Sequence, residues 1–313
     1  MKAYALATLV FLGAAEILIA ATGVDWKLLA PLLYYQGVDL PVHRLSENSA
    51  LLYGLQPGYS GEIDGRKITI NTMGFRGPER AARKPKGVFR LVCLGSSNTY
   101  GATVGDAETY PALTEALLGK KRYEVWNAGV SAYTVAQSAA SGENIATDDD
   151  PDLFLFQMHS TRRRPFLLGQ PFSRFFDADP SLYIENLRLL PFGGRALDAT
   201  ALRRWRLWRA LVIAANRLSG ASNNPRYDNA LAPGEGLCRL RRGRVPIVML
   251  RNPGHGTPDA CEEGLPVIDL EAHLPKNYSA DYLLIHPPAY VYRWYAKTIV
   301  SSLSAFGALR RGS

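Results

Sequence analysis

The chain has 313 residues, of which 47% are hydrophobic, and it carries a formal net charge of +8. This length and composition suffice for one substantial hydrophobic core, with or without a small appended unit. The positive charge is spread over short clusters without a basic and aromatic nucleic-acid motif, so no nucleic-acid partner is expected. The positive charge instead suits a lipid surface with anionic headgroups or an acidic polymer.

The N-terminal segment is strongly apolar. Ala3 to Thr22 is a run of 20 residues with one charge, Glu16, and Lys2 precedes it. Such a run can cross a bilayer as a helix, so we expect an uncleaved signal anchor with the remaining chain outside the cytoplasm, on the periplasmic side. A cleaved signal peptide is the alternative, although no clear small-residue cleavage site ends the run. Because Glu16 is costly in lipid, we expect it to face a membrane-protein partner helix, lie near the interface or be protonated.

Two further segments precede the main domain. Trp26 and the apolar stretch from Leu28 to Tyr35 suit an interfacial anchor or a core helix, so residues 1–35 are assigned to the anchor. Residues 36–87 are rich in glycine, proline and charge, with a short β-like element at Lys67 to Asn71. We expect an irregular β extension there, packed on the domain formed by residues 88–313.

From Val88 onwards, strand-like and helix-like segments alternate, which predicts an α/β fold with a parallel sheet of about five strands. The predicted strands are Val88 to Leu94, Tyr123 to Asn127, Leu153 to Met158, Val245 to Leu250 and Leu265 to Asp269. The predicted helices cover about Pro111 to Leu118, Thr134 to Ala146 and Pro288 to Phe306.

A basic helical insertion at residues 162–235 separates the third and fourth strands. On a helix, Trp205, Trp208 and Val212 share one face, while Arg203 and Arg206 lie elsewhere. Such a helix suits the surface of a membrane, and it equally suits a core-facing amphipathic helix with a solvated basic side. The lipid bilayer is therefore an expected partner of the chain.

The three cysteines do not have the spacing of a metal site. Cys93 lies inside a predicted strand and is most simply a small buried hydrophobic residue. Cys238 and Cys261 can form a disulfide in an oxidising compartment, but the sequence does not give their separation in space.

The stretch around which the chain is organised runs from Leu91 to Gly101. A buried apolar strand stops at Gly95, and Ser97 follows two residues later. The carboxyl edge of an open α/β sheet is where ligands bind, and a serine there lies beside the backbone N–H groups of the next helix. The alternative is that Ser96 and Ser97 only satisfy hydrogen bonds of a turn and a helix cap.

Three segments resemble known sequence blocks. Gly95-Ser96-Ser97-Asn98-Thr99-Tyr100-Gly101 resembles the first block of the SGNH (GDSL-like) hydrolases, usually Gly-Asp-Ser-x-Thr-x-Gly, with Ser96 in place of the aspartate. Asn127 to Ser131 is similar to the second block, and Ile70 to Gly77 is similar to a leader found in membrane-anchored bacterial members. The resemblance implies a three-layer α/β/α sandwich.

The resemblance also implies a nucleophile and a base. Ser97 takes the place of the nucleophile, and His286, in a His-Pro-x-Ala segment, takes the place of the base. The family usually has an aspartate three residues before this histidine, where this chain has Leu283. The nearest carboxylate is Asp281, which is expected to orient His286 unless a backbone carbonyl does so in a Ser-His dyad.

The implied oxyanion hole consists of the N–H groups of Ser97 and Gly129 and the hydroxyl of Thr161. The third block of the family supplies an asparagine here, and this chain instead has His159, Ser160, Thr161 and Arg162. His159 and His255 are expected substrate contacts, although a loop role is equally open for His255.

These residues lead to two hypotheses. The first is a membrane-anchored extracytoplasmic serine esterase or acyltransferase, acting on acyl esters of carbohydrate or lipid without a metal or organic cofactor. The second is a catalytically inactive subunit of the same fold in a membrane protein complex. The first is the leading hypothesis, and the absent asparagine and aspartate, Glu16 and the basic insertion motivate the second.

Overall fold

The computed structural model describes residues 2–22, 24, 42–46, 48, 51, 53–81, 83–131, 133–158, 205–207, 235–253 and 261–309. The chain forms two compact units, the first from residues 1–38 and 164–230 and the second from residues 39–163 and 231–313. Trp26, the stretch from Leu28 to Tyr35 and most of the 162–235 insertion lie outside the described residues.

The first unit contains helix α1, Lys2–Thr22. Among the described residues, its Tyr4–Thr22 portion is the one helix long and apolar enough to cross a membrane, with a mean hydropathy of 2.0. Only 6% of this span is buried within the protein, so its apolar side chains are open to a surrounding medium. These properties suit either a membrane anchor or a signal sequence.

The second unit is built on a five-stranded parallel sheet, as the sequence predicts. Its strands are β5 (Phe89–Gly95), β6 (Tyr123–Gly129), β7 (Leu153–Gln157), β8 (Ile247–Arg251) and β9 (Val267–Asp269). They lie in the order β6-β5-β7-β8-β9, and every neighbouring pair is parallel. This order reverses between β5 and β7, and doubly wound sheets bind ligands at such a switch point.

Helices cover both faces of the sheet, which confirms the predicted α/β class. The described helices of this unit are α2 (Ser97–Tyr100), α3 (Tyr110–Leu118), α4 (Val135–Asp148), α5 (Glu235–Arg241) and α6 (Ala289–Ala305). Along β5, Leu91 and Cys93 pack in the cluster that includes α3 and α6. Val92 and Leu94 pack in the cluster that includes α4 and α5. All seven residues of β5 are buried because both of its faces are covered.

The two helices after β5 and β6 begin where their capping residues place them. Pro111 stands in the first turn of α3, and the Thr109 hydroxyl accepts the Ala112 N–H. At α4, Thr134 and Gln137 form a capping box. Strong local signals of this kind explain why the predicted starts lie within a residue of the observed ones.

The predicted β extension consists of two antiparallel pairs. They are β1 (His43–Leu45) with β2 (Tyr53–Leu55), and β3 (Ser60–Ile63) with β4 (Arg66–Thr69). It packs on the parallel sheet: the Arg76 N–H donates to the Asn127 carbonyl over 3.1 Å, and the Tyr53 hydroxyl donates to the Ser131 carbonyl over 2.9 Å.

The cysteines divide as one thiol and one disulfide. Cys93 is fully buried in β5, and burial raises the pKa of its thiol far above the ordinary value, so it remains protonated. Cys238 of α5 is bonded to Cys261, with the two Cα atoms 5.3 Å apart. This separation lies in the usual range for disulfides and resolves the pairing that the sequence left open. No cluster of three or more metal-ligating side chains occurs in the described part of the chain.

Candidate active site

Ser97 lies at the carboxyl end of the central strand. Strand β5 ends at Gly95, and α2 begins at Ser97, a residue that is 7% exposed. A Cβ on Gly95 would come within 2.2 Å of Thr99 Oγ1 and 2.6 Å of Gln157 Oε1. Because a side chain at position 95 would collide with these atoms, the tight turn from β5 into α2 requires glycine. This turn places Ser97 at the switch point of the sheet.

His286 reaches Ser97 from a distant part of the chain. Its Nε2 atom lies 2.7 Å from Ser97 Oγ. The histidine is exposed and stands just before α6, and the Thr103 hydroxyl donates to the carbonyl of the neighbouring Pro287 over 2.8 Å. Because Thr103 follows α2, this bond joins the histidine loop to the loop beyond the serine. A hydroxyl and an imidazole nitrogen at this distance are suited to nucleophile activation.

Side chains from the sheet and from α6 hold α2. Gln157 Oε1, at the end of β7, accepts the Thr99 hydroxyl over 2.8 Å and the Ser96 N–H over 3.3 Å. The Tyr292 hydroxyl donates to Asn98 Oδ1 over 3.1 Å. Burial raises the pKa of Tyr292 well above its ordinary value, so this hydroxyl stays protonated and able to donate.

Arg76 holds the far end of α2, a role that the sequence analysis did not identify. Its guanidinium donates to the carbonyls of Tyr100, Gly101 and Val104 over 2.7–2.8 Å, and it pairs with Asp106 at 2.9 Å. It also lies 4.5 Å from the centre of the Tyr100 ring. Arg76 lies in the leader stretch from Ile70 to Gly77, and this stretch therefore connects the β extension to the serine helix.

The predicted acid, Asp281, is not brought to His286. Its carboxylate accepts the Tyr290 hydroxyl over 2.6 Å, and that hydroxyl lies 2.8 Å from the Ser279 hydroxyl. The described contact of the Asp281 carboxylate is thus with Tyr290 and not with His286. Leu283, at the position of the usual aspartate, is 46% exposed and supplies no carboxylate. Asp281 and Leu283 both lie in a short 3₁₀ helix formed by residues 280–283.

We therefore expect Asp281→Asn to lower kcat for ester hydrolysis by less than about tenfold, whereas loss of a triad aspartate costs about 10⁴-fold. The substitution keeps an oxygen that can accept the Tyr290 hydroxyl. Steady-state rates on a soluble ester, with Tyr290→Phe as the matched control for that bond, test this. A loss near 10⁴-fold in the asparagine variant alone would show that Asp281 supports His286 during turnover.

Gly129 contributes close packing at the same edge. Its N–H donates to Asn127 Oδ1 over 3.1 Å, so in this structure the donor predicted for the oxyanion hole is directed to a side chain. A Cβ on Gly129 would come within 2.3 Å of the Tyr100 nitrogen and 2.6 Å of the Thr99 carbonyl carbon. The glycine thus allows β6 to approach the backbone of α2.

Gly129→Ala should displace α2 and with it Ser97. The added methyl group meets backbone atoms, so we expect a loss of about 1–3 kcal/mol in the free energy of unfolding, as for other overpacked sites. Thermal or chemical unfolding followed by circular dichroism measures this loss. Gly58→Ala is a control for glycine substitution as such, because a Cβ at Gly58 meets nothing within 4 Å, although its positive φ adds local strain. Equal stability of Gly129→Ala and the wild type would contradict the packing role.

The remaining predicted site residues are not described. His159, Thr161 and His255 lie outside the described residues, so their roles stay predictions.

A side chain that the sequence analysis did not single out is Asn252, which follows β8 at the same sheet edge. It is 1% exposed, and its amide nitrogen and oxygen both lack a hydrogen-bond partner.

A pocket of about 520 Å³ lies elsewhere on the second unit. Neither Ser97 nor His286 lines it. Its walls come from the β extension, the end of β6 and α4, and include Arg44, Phe75, Tyr133 and Asn144. The candidate chemistry is therefore located by the Ser97–His286 pair and not by this pocket.

No protein-family model matches the chain. No curated protein matches it either.

The chain is similar to several solved structures. TesA has 13% identity, with 69% of this chain and 98% of TesA covered and a TM-score of 0.36. LAE5, an alpha/beta hydrolase enzyme from the metagenome of Lake Arreo, Spain, has 17% identity, coverages of 71% and 96%, and a TM-score of 0.37. AlinE4, an SGNH-hydrolase family esterase, has 17% identity, coverages of 74% and 100%, and a TM-score of 0.29. At these identities and TM-scores the similarity assigns no function by itself, so we derive the function from the site.

Proposed function

We propose that the protein is a serine esterase or acyltransferase of the SGNH type, anchored in a membrane and acting outside the cytoplasm on acyl esters of carbohydrate or lipid. The observation that carries the proposal is the 2.7 Å approach of His286 Nε2 to Ser97 Oγ. These residues are 189 positions apart in the chain, yet they meet at the carboxyl edge of a parallel sheet, where such folds bind their ligands.

The first half-reaction forms an acyl-enzyme. Ser97 Oγ attacks the ester carbonyl as His286 Nε2 takes the hydroxyl proton, and the carbonyl oxygen becomes an oxyanion. When the tetrahedral intermediate collapses, its bond to the alcohol oxygen breaks and His286 returns the proton to this leaving group. The acyl group then remains on Ser97.

The second half-reaction releases the acyl group. His286 takes a proton from an incoming water or sugar hydroxyl, which attacks the acyl carbon, and the proton returns to Ser97 as its bond to the acyl group breaks. Water gives a carboxylic acid, and a hydroxyl acceptor gives a new ester. The same two residues therefore serve hydrolysis and transfer, and the acceptor decides between them.

The backbone at the start of α2 is suited to binding the oxyanion. Ser96 is the N-cap residue and makes no side-chain capping bond, so its hydroxyl does not occupy the N–H groups of the first turn. The Ser97 N–H is the donor nearest the nucleophile. Removal of one oxyanion donor typically costs about 10²- to 10³-fold in kcat.

Two observations support a location outside the cytoplasm. The Cys238–Cys261 disulfide is of a kind found mainly in proteins of oxidising compartments. The apolar helix Tyr4–Thr22 is long enough to anchor the chain in a bilayer. Together they suit a protein whose second unit acts on the extracytoplasmic side of a membrane.

An inactive subunit of a membrane complex is the second candidate, and the contacts of Asp281 favour it. That carboxylate is directed to Tyr290, so the acid that the sequence predicts for His286 is engaged in another bond. The two candidates differ in whether Ser97 can be acylated at all.

Labelling with a fluorophosphonate probe separates the candidates. The full chain, purified in detergent, is treated with the probe, and the modified residue is identified by mass spectrometry. Because the reaction requires an activated serine, we expect labelling at Ser97 that is absent in Ser97→Ala. Ser96→Ala is the matched control, since the Ser96 hydroxyl has no hydrogen-bond partner and its loss leaves the Ser97–His286 contact in place. Absence of labelling in the wild type, together with absence of ester hydrolysis, would support the inactive subunit.

A further inference from the structure

Glu16 makes an unexpected contact within the first unit. Its carboxylate accepts two backbone N–H groups, that of Arg206 over 2.8 Å and that of Leu207 over 2.7 Å. The partners stand 190 and 191 positions away in sequence. Since N–H groups at the beginning of a helical turn lack partners within that turn, a carboxylate is a good acceptor for them.

A second bond runs in the opposite direction between the same two segments. Arg206 Nη1 donates to the Ala20 carbonyl over 3.4 Å, four residues beyond Glu16 on α1. Residues 205–207 are thus attached to the C-terminal part of α1 by two kinds of hydrogen bond, one accepted by the Glu16 side chain and one donated by the Arg206 side chain.

The attachment lies in the C-terminal half of the described helix. This helix has 21 residues, which is about 31 Å at 1.5 Å per residue, close to the thickness of the hydrocarbon core. Glu16 lies six residues, or about 9 Å, before Thr22. Residues 205–207 therefore lie beside the stretch of α1 from Glu16 to Ala20, in the half of the described helix nearer Thr22.

The side chains of Trp205 and Arg206 are of the types found where acyl chains meet headgroups. Trp205 is 48% exposed, and tryptophan is enriched where headgroups meet acyl chains. Arg206 is partly exposed and carries the positive charge that anionic headgroups attract.

We propose that the segment beginning at Trp205 is a second membrane contact, docked on the anchor helix through Glu16 and binding a bilayer surface with anionic headgroups through Trp205 and Arg206. This inference rests on the membrane location of α1 in the proposed function, but not on the activity of Ser97. It also gives Glu16 acceptor contacts within the chain itself, where the sequence left open a partner helix, a place near the interface or a protonated side chain.

Quenching of tryptophan fluorescence by brominated lipid tests the proposal. The full chain carrying Ser97→Ala is reconstituted in vesicles of phosphatidylglycerol and phosphatidylcholine, with bromine near the headgroup or near the methyl end of the acyl chains. Quenching attributed to Trp205 is the difference between this protein and its Trp205→Phe variant. We expect that difference to be large with shallow bromine and small with deep bromine.

Variants of Glu16 then test the docking. We expect Glu16→Ala to abolish the Trp205-dependent quenching and Glu16→Gln, which keeps one acceptor oxygen, to retain part of it. Trp294→Phe is the matched control for the loss of a tryptophan and should change no lipid quenching, because the Trp294 ring packs against the rings of Tyr282 and Tyr295. Absence of Trp205-dependent quenching, or quenching of equal size in Glu16→Ala, would overturn the proposal. Probe labelling of the Ser97-containing protein in detergent reports activity separately, so failure of one proposal does not imply failure of the other.

Discussion

Ser97→Ala is expected to lower kcat for ester hydrolysis by about 10⁴-fold or more, the loss that follows removal of the nucleophile in serine hydrolases. The residue stands at the start of α2 with His286 Nε2 2.7 Å from its hydroxyl, and alanine removes the only atom that can be acylated there. Progress curves with a short-chain chromogenic ester, measured on the full chain in detergent, give the rates. Mass spectrometry of the quenched reaction gives the acyl-enzyme.

The serine substitution should leave the fold unchanged. Ser97 makes its side-chain hydrogen bond to an exposed histidine, and the bonds from Arg76 and Gln157 that hold α2 do not involve its hydroxyl. We expect the unfolding midpoint of the variant to match that of the wild type. If hydrolysis persists in Ser97→Ala at more than a small fraction of the wild-type rate, another residue is the nucleophile and the proposed mechanism is wrong.

The sequence predicts the elements of the second unit well because their signals are local. A run of successive apolar residues predicts a parallel strand that is covered on both faces, and the capping residues Thr109 and Thr134 mark helix starts. The glycine and serines that follow β5 lie within one short stretch, so the turn that presents Ser97 is also visible in the sequence.

The contacts that hold α2 and Ser97 in place are much less predictable from the sequence. Arg76 acts on carbonyls 24 or more positions away, and Gln157 on a hydroxyl 58 positions away. Nothing in their local sequence indicates these partners, although the leader stretch that contains Arg76 resembles a family feature. The oxyanion role predicted for Gly129 depends on where its N–H points, and Asn127 takes that donor in the folded chain.

The partners of charged residues in apolar or irregular segments are equally hard to predict from the sequence. The sequence shows that Glu16 is costly in lipid. It does not predict which donors the Glu16 carboxylate accepts, because these N–H groups come from the insertion. Asp281 is the nearest carboxylate to His286 in the sequence, yet its carboxylate accepts a hydrogen bond from Tyr290, the second residue of α6. Proximity in sequence is therefore a poor guide to the contact that Asp281 makes.

His286→Gln is expected to lower kcat for ester hydrolysis by about 10³- to 10⁵-fold, since an amide reaches towards Ser97 but cannot accept and return a proton at the operating pH. The stability of the protein should change by less than about 0.5 kcal/mol, because the replaced side chain is exposed. A large catalytic loss without a stability loss separates a catalytic role from a structural one.

Rescue by added imidazole sharpens this test. In His286→Ala the exposed position leaves room beside Ser97, so we expect free imidazole to restore part of the lost rate in a concentration-dependent way. Ser97→Ala measured with the same imidazole is the control for hydrolysis in solution, and it should show no protein-dependent increase. If both His286 variants retain wild-type kcat, the 2.7 Å contact has no part in proton transfer, and Ser97 must be activated by another group.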